Sequence, residues 1–142
     1  MTLPRPLSGV RILFAEDHPI TRTLFSESLS HLGAEVIAVT NGALAISACR
    51  GAKEAGSPFD VVLLDYRMPL CDGAAAASVI GTDGFDGLVV GLTAGIDPDE
   101  VRRWRESGCA FVLPKGIGPR EVARRLAAFA GNTGARADSA AG

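Results

Sequence analysis

The chain has little that would tie it to a metal cage, a membrane or nucleic acid. Its three cysteines, Cys49, Cys71 and Cys109, are odd in number, widely spaced and without a C-x-x-C pair. That spacing excludes a disulfide framework and a cysteine-built zinc site, and leaves three reduced structural thiols. No apolar run approaches the length that crosses a bilayer, and residues 1–9 lack the apolar stretch of a signal peptide. Basic surplus is missing too: the formal net charge is -2, which argues against direct nucleic-acid binding. No P-loop and no glycine-rich dinucleotide signature is present, so nucleotide enzymes fall away. The expectation is a soluble cytoplasmic protein that makes no membrane contact. Lysine is scarce as well, with Lys53 and Lys115 the only two among 14 basic residues, so each position carries information.

What is present suits one packed domain: 142 residues, 47% of them hydrophobic. The most informative stretch is V-V-L-L-D-Y-R-M-P-L-C-D-G, residues 61–73. Its apolar start reads as a buried strand that delivers Asp65 to its carboxyl end. There Pro69, Asp72 and Gly73 break the backbone into a loop. In open parallel sheets, ligands bind in the crevice outside the carboxyl ends of the strands.

The rest of the chain alternates in the same way. Strands are expected at 11–15, 35–39, 59–64, 88–92 and 110–113. Helices are expected from about Ile20 to Leu32, from Asn41-Gly42 to about Ala55, over a short alanine-rich 73–80, from Asp97-Pro98 to near Gly108, and over 119–130. In the last of these, Val122, Leu126 and Phe129 fall on one side. Residues 1–9 read as an N-terminal extension, 10–130 as the folded domain and 131–142 as a disordered tail.

Strands alternating with helices predict an α/β fold, a parallel sheet covered on both faces. A doubly wound order 2-1-3-4-5 makes strands one, three, four and five neighbours. Their carboxyl ends then bring together Glu16 and Asp17, Asp65, Thr93, and Lys115. Three carboxylates at close range resist ionisation together, and a hard divalent cation such as Mg²⁺ relieves that repulsion. An Asp beside such a metal can act as a nucleophile toward phosphorus. The transferred group needs a metal, a cation and a hydrogen-bond donor around its oxygens, and Lys115 and Thr93 supply the last two.

These residues carry a resemblance. Over about 10–130 the chain resembles the receiver domains of two-component response regulators, through E-D-H-P after strand one, D-Y-R-M-P-L-C-D-G around Asp65, L-T-A at 92–94 and Lys115 after strand five. The resemblance implies a (βα)5 flavodoxin-like or CheY-like fold. It implies that Asp65 accepts a phosphoryl group from the phosphohistidine of a histidine kinase or histidine phosphotransfer protein, with no separate turnover substrate. It further implies Mg²⁺ held by Asp17, Asp65, Glu16 through water and the backbone carbonyl of Arg67. Thr93 and Lys115 would contact the phosphoryl group, and Ala94 would leave room for it. A downstream protein partner would dock on the last two helices and strand five. The A-E-D-H-P-I-T-R pattern is similar to receivers of hybrid histidine kinases, so both a stand-alone regulator and a fragment of a larger protein are open.

The chain departs from the family pattern in three places, one of them the stretch 73–87, whose few large apolar residues lead to the expectation of a short or mobile third helix. Val112 occupies the position three before the lysine where an aromatic residue usually couples to the threonine. Phe111 does not replace it, because adjacent strand residues face opposite sides. Gly116 follows Lys115 where proline is usual. A haloacid-dehalogenase-like phosphatase would need a second Asp at the position of Arg67. The remaining alternative is a degenerate receiver that docks partners without phosphorylation. Arg102, Arg103, Arg105, Arg120, Arg124 and Arg125 read as a solvated mixed-charge surface rather than a docking face, given Asp99, Glu100, Glu106 and Glu121 nearby.

Overall fold

The computed structural model of the protein describes residues 5–95 and 97–129. Five strands, β1 (Arg11–Ala15), β2 (Glu35–Val39), β3 (Val61–Asp65), β4 (Leu88–Thr93) and β5 (Phe111–Pro114), alternate with helices. The helices are α1 (Pro19–His31), α2 (Gly42–Glu54), α3 (Gly73–Thr82), α4 (Pro98–Glu106) and α5 (residues 119–129). All strand pairs are parallel, and the order is β2-β1-β3-β4-β5, the doubly wound order that the resemblance implies.

Alternation along the strands feeds two cores. Ile12, Phe14, Leu63, Leu92 and Leu113 face α1 and α5, where Phe25, Leu29, Val122 and Leu126 meet them. Leu13, Val62 and Leu64 face the other way, onto Ala45, Ala76, Ala77, Ile80 and Trp104 of α2, α3 and α4. β3 is buried at every position, as the central strand of a doubly covered sheet must be. Leu7, within the segment read as an extension, is fully buried, and its amide donates to the Leu32 carbonyl at 2.8 Å.

Local sequence sets the helix starts. Asn41, Asp72 and Asp97 each accept an amide hydrogen bond at the head of their helices, and Pro19 and Pro98 sit in the first turn of α1 and α4. Helix α3 runs two residues past the expected Ile80. Its small side chains explain the difference: Ala74, Ala76 and Ala77 bury against the sheet where larger residues would hold the helix off. Close approach also fixes two glycines. A Cβ on Gly91 would meet the Trp104 ring at 2.8 Å, and one on Gly73 would meet the Trp104 Cη2 at 2.7 Å. Phe129, expected on the buried side of α5, is 45% exposed, while its ring stacks on Phe111 at 4.1 Å. Ala130 and the expected disordered tail lie outside the described residues.

Candidate functional site

The carboxyl ends of β1 and β3 bring Glu16, Asp17 and Asp65 together, each offering an oxygen within 4.8 Å of the others. Glu16 is fully buried and Asp65 is 6% exposed, whereas Asp17 opens to solvent. β5 ends at Pro114, and a single 3₁₀ turn (Lys115–Ile117) presents Lys115. Its ammonium stands 2.5 Å from Glu16 Oε1 and 3.0 Å from Asp65 Oδ2. Burial by itself pushes the Lys115 ammonium down, but the bonds to Glu16 and Asp65 outweigh it and hold its pKa above the ordinary lysine value.

The acidic turn is braced from behind. Glu16 Oε2 accepts from the His18 amide at 3.1 Å, and His18 Nδ1 caps α1. Arg22 Nη1 donates to the carbonyls of Glu16 and Asp17 at 3.0 and 3.2 Å, so α1 fixes the backbone that carries both acids. Three carboxylates face one ammonium, which leaves a local surplus of two negative charges. An all-oxygen donor set with that surplus fits a hard divalent cation.

Thr93 ends β4, half-buried, and its hydroxyl donates to the Gly95 carbonyl at 2.9 Å, turned into its own loop. Ala94 is exposed beside it. Arg67 lines an open groove with Asp17, Met68, Asp72 and Arg103 next to the acids. Val112 packs toward Trp104 while Phe111 packs on the opposite face, confirming that Phe111 does not take the place of an aromatic at 112. Val112 and Thr93 line a cavity of about 380 Å³ between α4 and β5.

Arg103 lies on the solvated surface, as expected, and its Nη1 there donates to Asp72 Oδ2 at 2.6 Å and to the Tyr66 hydroxyl at 3.0 Å. Arg102, Arg124 and Arg125 do form exposed pairs within their own helices, with Asp99 and Glu121. The thiols behave as structural ones: burial pushes Cys49 up to about 11 and raises Cys71 and Cys109 as well.

Residues 12–127 match the response regulator receiver domain family. The chain belongs to that family. This receiver is 30% identical over 122 residues to the sensor protein TorS of Escherichia coli (strain K12), a match covering 86% of this chain and 13% of TorS. It is 31% identical over 109 residues to the two-component response regulator ORR42 of Oryza sativa subsp. japonica, covering 76% of this chain and 78% of ORR42. A similar solved structure is the receiver domain of the sensor histidine kinase PA1611 from Pseudomonas aeruginosa PAO1, with a magnesium ion coordinated in its active site cleft. It aligns at 26% identity and TM-score 0.74 over 84% of this chain and 95% of that one. The receiver therefore spans a small part of the sensor protein it matches and most of ORR42. Among the described residues, no helix is long and apolar enough to cross a membrane.

Proposed function

We propose that the receiver accepts a phosphoryl group on Asp65 from a histidine kinase or histidine phosphotransfer protein. The observation that carries this reading is the joint placement of Glu16, Asp17 and Asp65 around one ammonium, Lys115, at the sheet's carboxyl edge. An Asp65 oxygen attacks phosphorus and forms a P–O bond, while the P–N bond of the phosphohistidine breaks and its electron pair returns to the imidazole. Asp17 and Asp65, Glu16 through water and the Arg67 carbonyl would hold Mg²⁺, which when bound neutralises charge on the phosphoryl oxygens.

The remaining roles belong to the chain itself. Lys115 is poised to pair with a phosphoryl oxygen of modified Asp65, exchanging one carboxylate contact for it. Thr93 must break its bond to the Gly95 carbonyl to donate to that group, which draws the loop at Ala94 inward. Burial of Asp65 and Glu16 keeps competing water few and strengthens these interactions. The changed α4–β5–α5 surface would then alter binding of a downstream protein partner in the cytoplasm. The residue two beyond Asp65 is Arg67 and not an acid, so phosphatase turnover of an external substrate lacks its proton donor.

Incubation with a panel of phosphohistidine-labelled kinases and phosphotransfer proteins tests the reading. Label should move to the parent protein in the presence of Mg²⁺ and not to Asp65→Asn. A panel that labels neither would overturn it in favour of docking without phosphorylation.

A further inference from the structure

The link usually built between the threonine and an aromatic of strand five is not built here, because β5 carries Val112. A different connection runs from the acidic site to α4. Tyr66 follows Asp65 directly, and the Gly73 amide donates to the Tyr66 carbonyl at 2.8 Å, closing residues 66–73 into one loop. Arg103 reaches back from α4 to both ends of that loop, to the Tyr66 hydroxyl and to Asp72 Oδ2. Its guanidinium lies 5.7 Å from the Tyr66 ring centroid. Asp72 has a second task, since its other oxygen caps α3 by accepting from the Ala75 amide at 2.8 Å. One guanidinium therefore joins the phosphoacceptor loop, the start of α3 and α4.

Helix α4 is also less firmly held than its apolar contacts alone imply. On its inward side Glu100 Oε1 and Trp104 Nε1 are buried without a hydrogen-bond partner among the described residues. Buried polar atoms without partners are costly, which lowers the cost of shifting the helix that carries them.

We infer that Arg103 is the positioning residue that carries the state of Asp65 to α4. When modification of Asp65 shifts the 66–73 loop, the bridge through Tyr66 and Asp72 takes α4 with it. This takes over the task that an aromatic at position 112 would otherwise have. The inference rests on the phosphoacceptor reading of Asp65.

Trp104 is the chain's single tryptophan, adjacent to Arg103 and 5.7 Å from the Tyr66 ring between centroids. Its fluorescence reports α4 against the loop. The test follows Trp104 fluorescence and intact mass in the same samples during reaction with acetyl phosphate and Mg²⁺, for the parent, Arg103→Ala and Arg103→Lys. In the parent the fluorescence should change in proportion to the phosphoryl adduct. Arg103→Ala should still take the group but lose most of that change. Arg103→Lys keeps the charge without the planar fork and should recover part of it. A general loss of stability would not separate fluorescence from adduct in this way. Adduct with the full fluorescence change in Arg103→Ala, or adduct without any change in the parent, overturns the inference alone. A parent that acetyl phosphate leaves unmodified is loaded from a phosphohistidine donor instead, and failure of both donors overturns the phosphoacceptor reading and this inference with it.

Discussion

Lys115 stands closer to Glu16 than to Asp65, at 2.5 Å against 3.0 Å. Glu16 is fully buried, so this ammonium is its chief counter-charge in the metal-free protein. Removing it leaves a buried carboxylate uncompensated, with Asp17 and Asp65 close by.

Lys115→Met should therefore destabilise the metal-free protein by about 2 kcal/mol, less than for a fully enclosed pair because Lys115 is partly open to solvent. Urea denaturation measures it, and saturating Mg²⁺ should restore part of the loss by replacing the missing positive charge. The pH dependence has a definite sign. Lys115 has its pKa raised above the ordinary 10.5, so its stabilisation is fully present below that pH and is lost as pH rises through the higher folded value. Alkaline denaturation profiles of the parent and Lys115→Met should converge in that range.

Cys49 acts in the same direction from a lower pH. Its folded value of about 11 lies above the ordinary 9.0, so the unfolded chain gives up this proton first and stability falls between those values. Cys49→Ala should flatten that part of the profile. The same shift predicts slow reaction of the folded protein with a disulfide reagent at pH 8 and fast reaction in urea.

Leu70 has φ of 69° and is 88% exposed, in the loop between Asp65 and Asp72. A branched side chain in the left-handed region is strained, and this one contributes little packing in return. Leu70→Gly should raise stability by about 0.5–1 kcal/mol, the relief of strain exceeding the entropy cost of glycine. Urea midpoints compare the two directly.

Gly91→Ala should cost about 1–3 kcal/mol, because the added methyl meets the Trp104 ring at 2.8 Å and the interior cannot absorb it without moving α4. A changed Trp104 emission should accompany the lower melting point.

The fold was legible because the first four apolar strands each lead to a helix-capping side chain: His18, Asn41, Asp72 and Asp97. Once the strand order is fixed, Glu16, Asp17, Asp65 and Lys115 have to converge. The closer approach of Lys115 to Glu16 than to Asp65 was not legible, since it depends on the 3₁₀ turn that re-aims the side chain after Pro114. Nor was the Arg103 bridge. Its partners lie 31 and 37 positions away, and no local spacing distinguishes it from Arg102, which pairs with Asp99 on its own helix. The length of α3 was underestimated because Gly81 and Thr82 are weak helix formers, and packing of Ala76, Ala77 and Ile80 overrides that propensity.

The central claim is that Asp65 is a metal-dependent phosphoacceptor, and intact-mass spectrometry after incubation with acetyl phosphate tests it most directly. With Mg²⁺ the parent should gain one phosphoryl group that maps to Asp65. Without Mg²⁺, or in Asp65→Asn, it should gain none. The variant should also keep or exceed the parent's metal-free melting point, since one of three clustered charges is gone while Lys115 retains Glu16, and should lose the rise that Mg²⁺ gives the parent. A parent that gains no adduct from acetyl phosphate and no label from the phosphohistidine donors, or an adduct that persists in Asp65→Asn, would contradict the account.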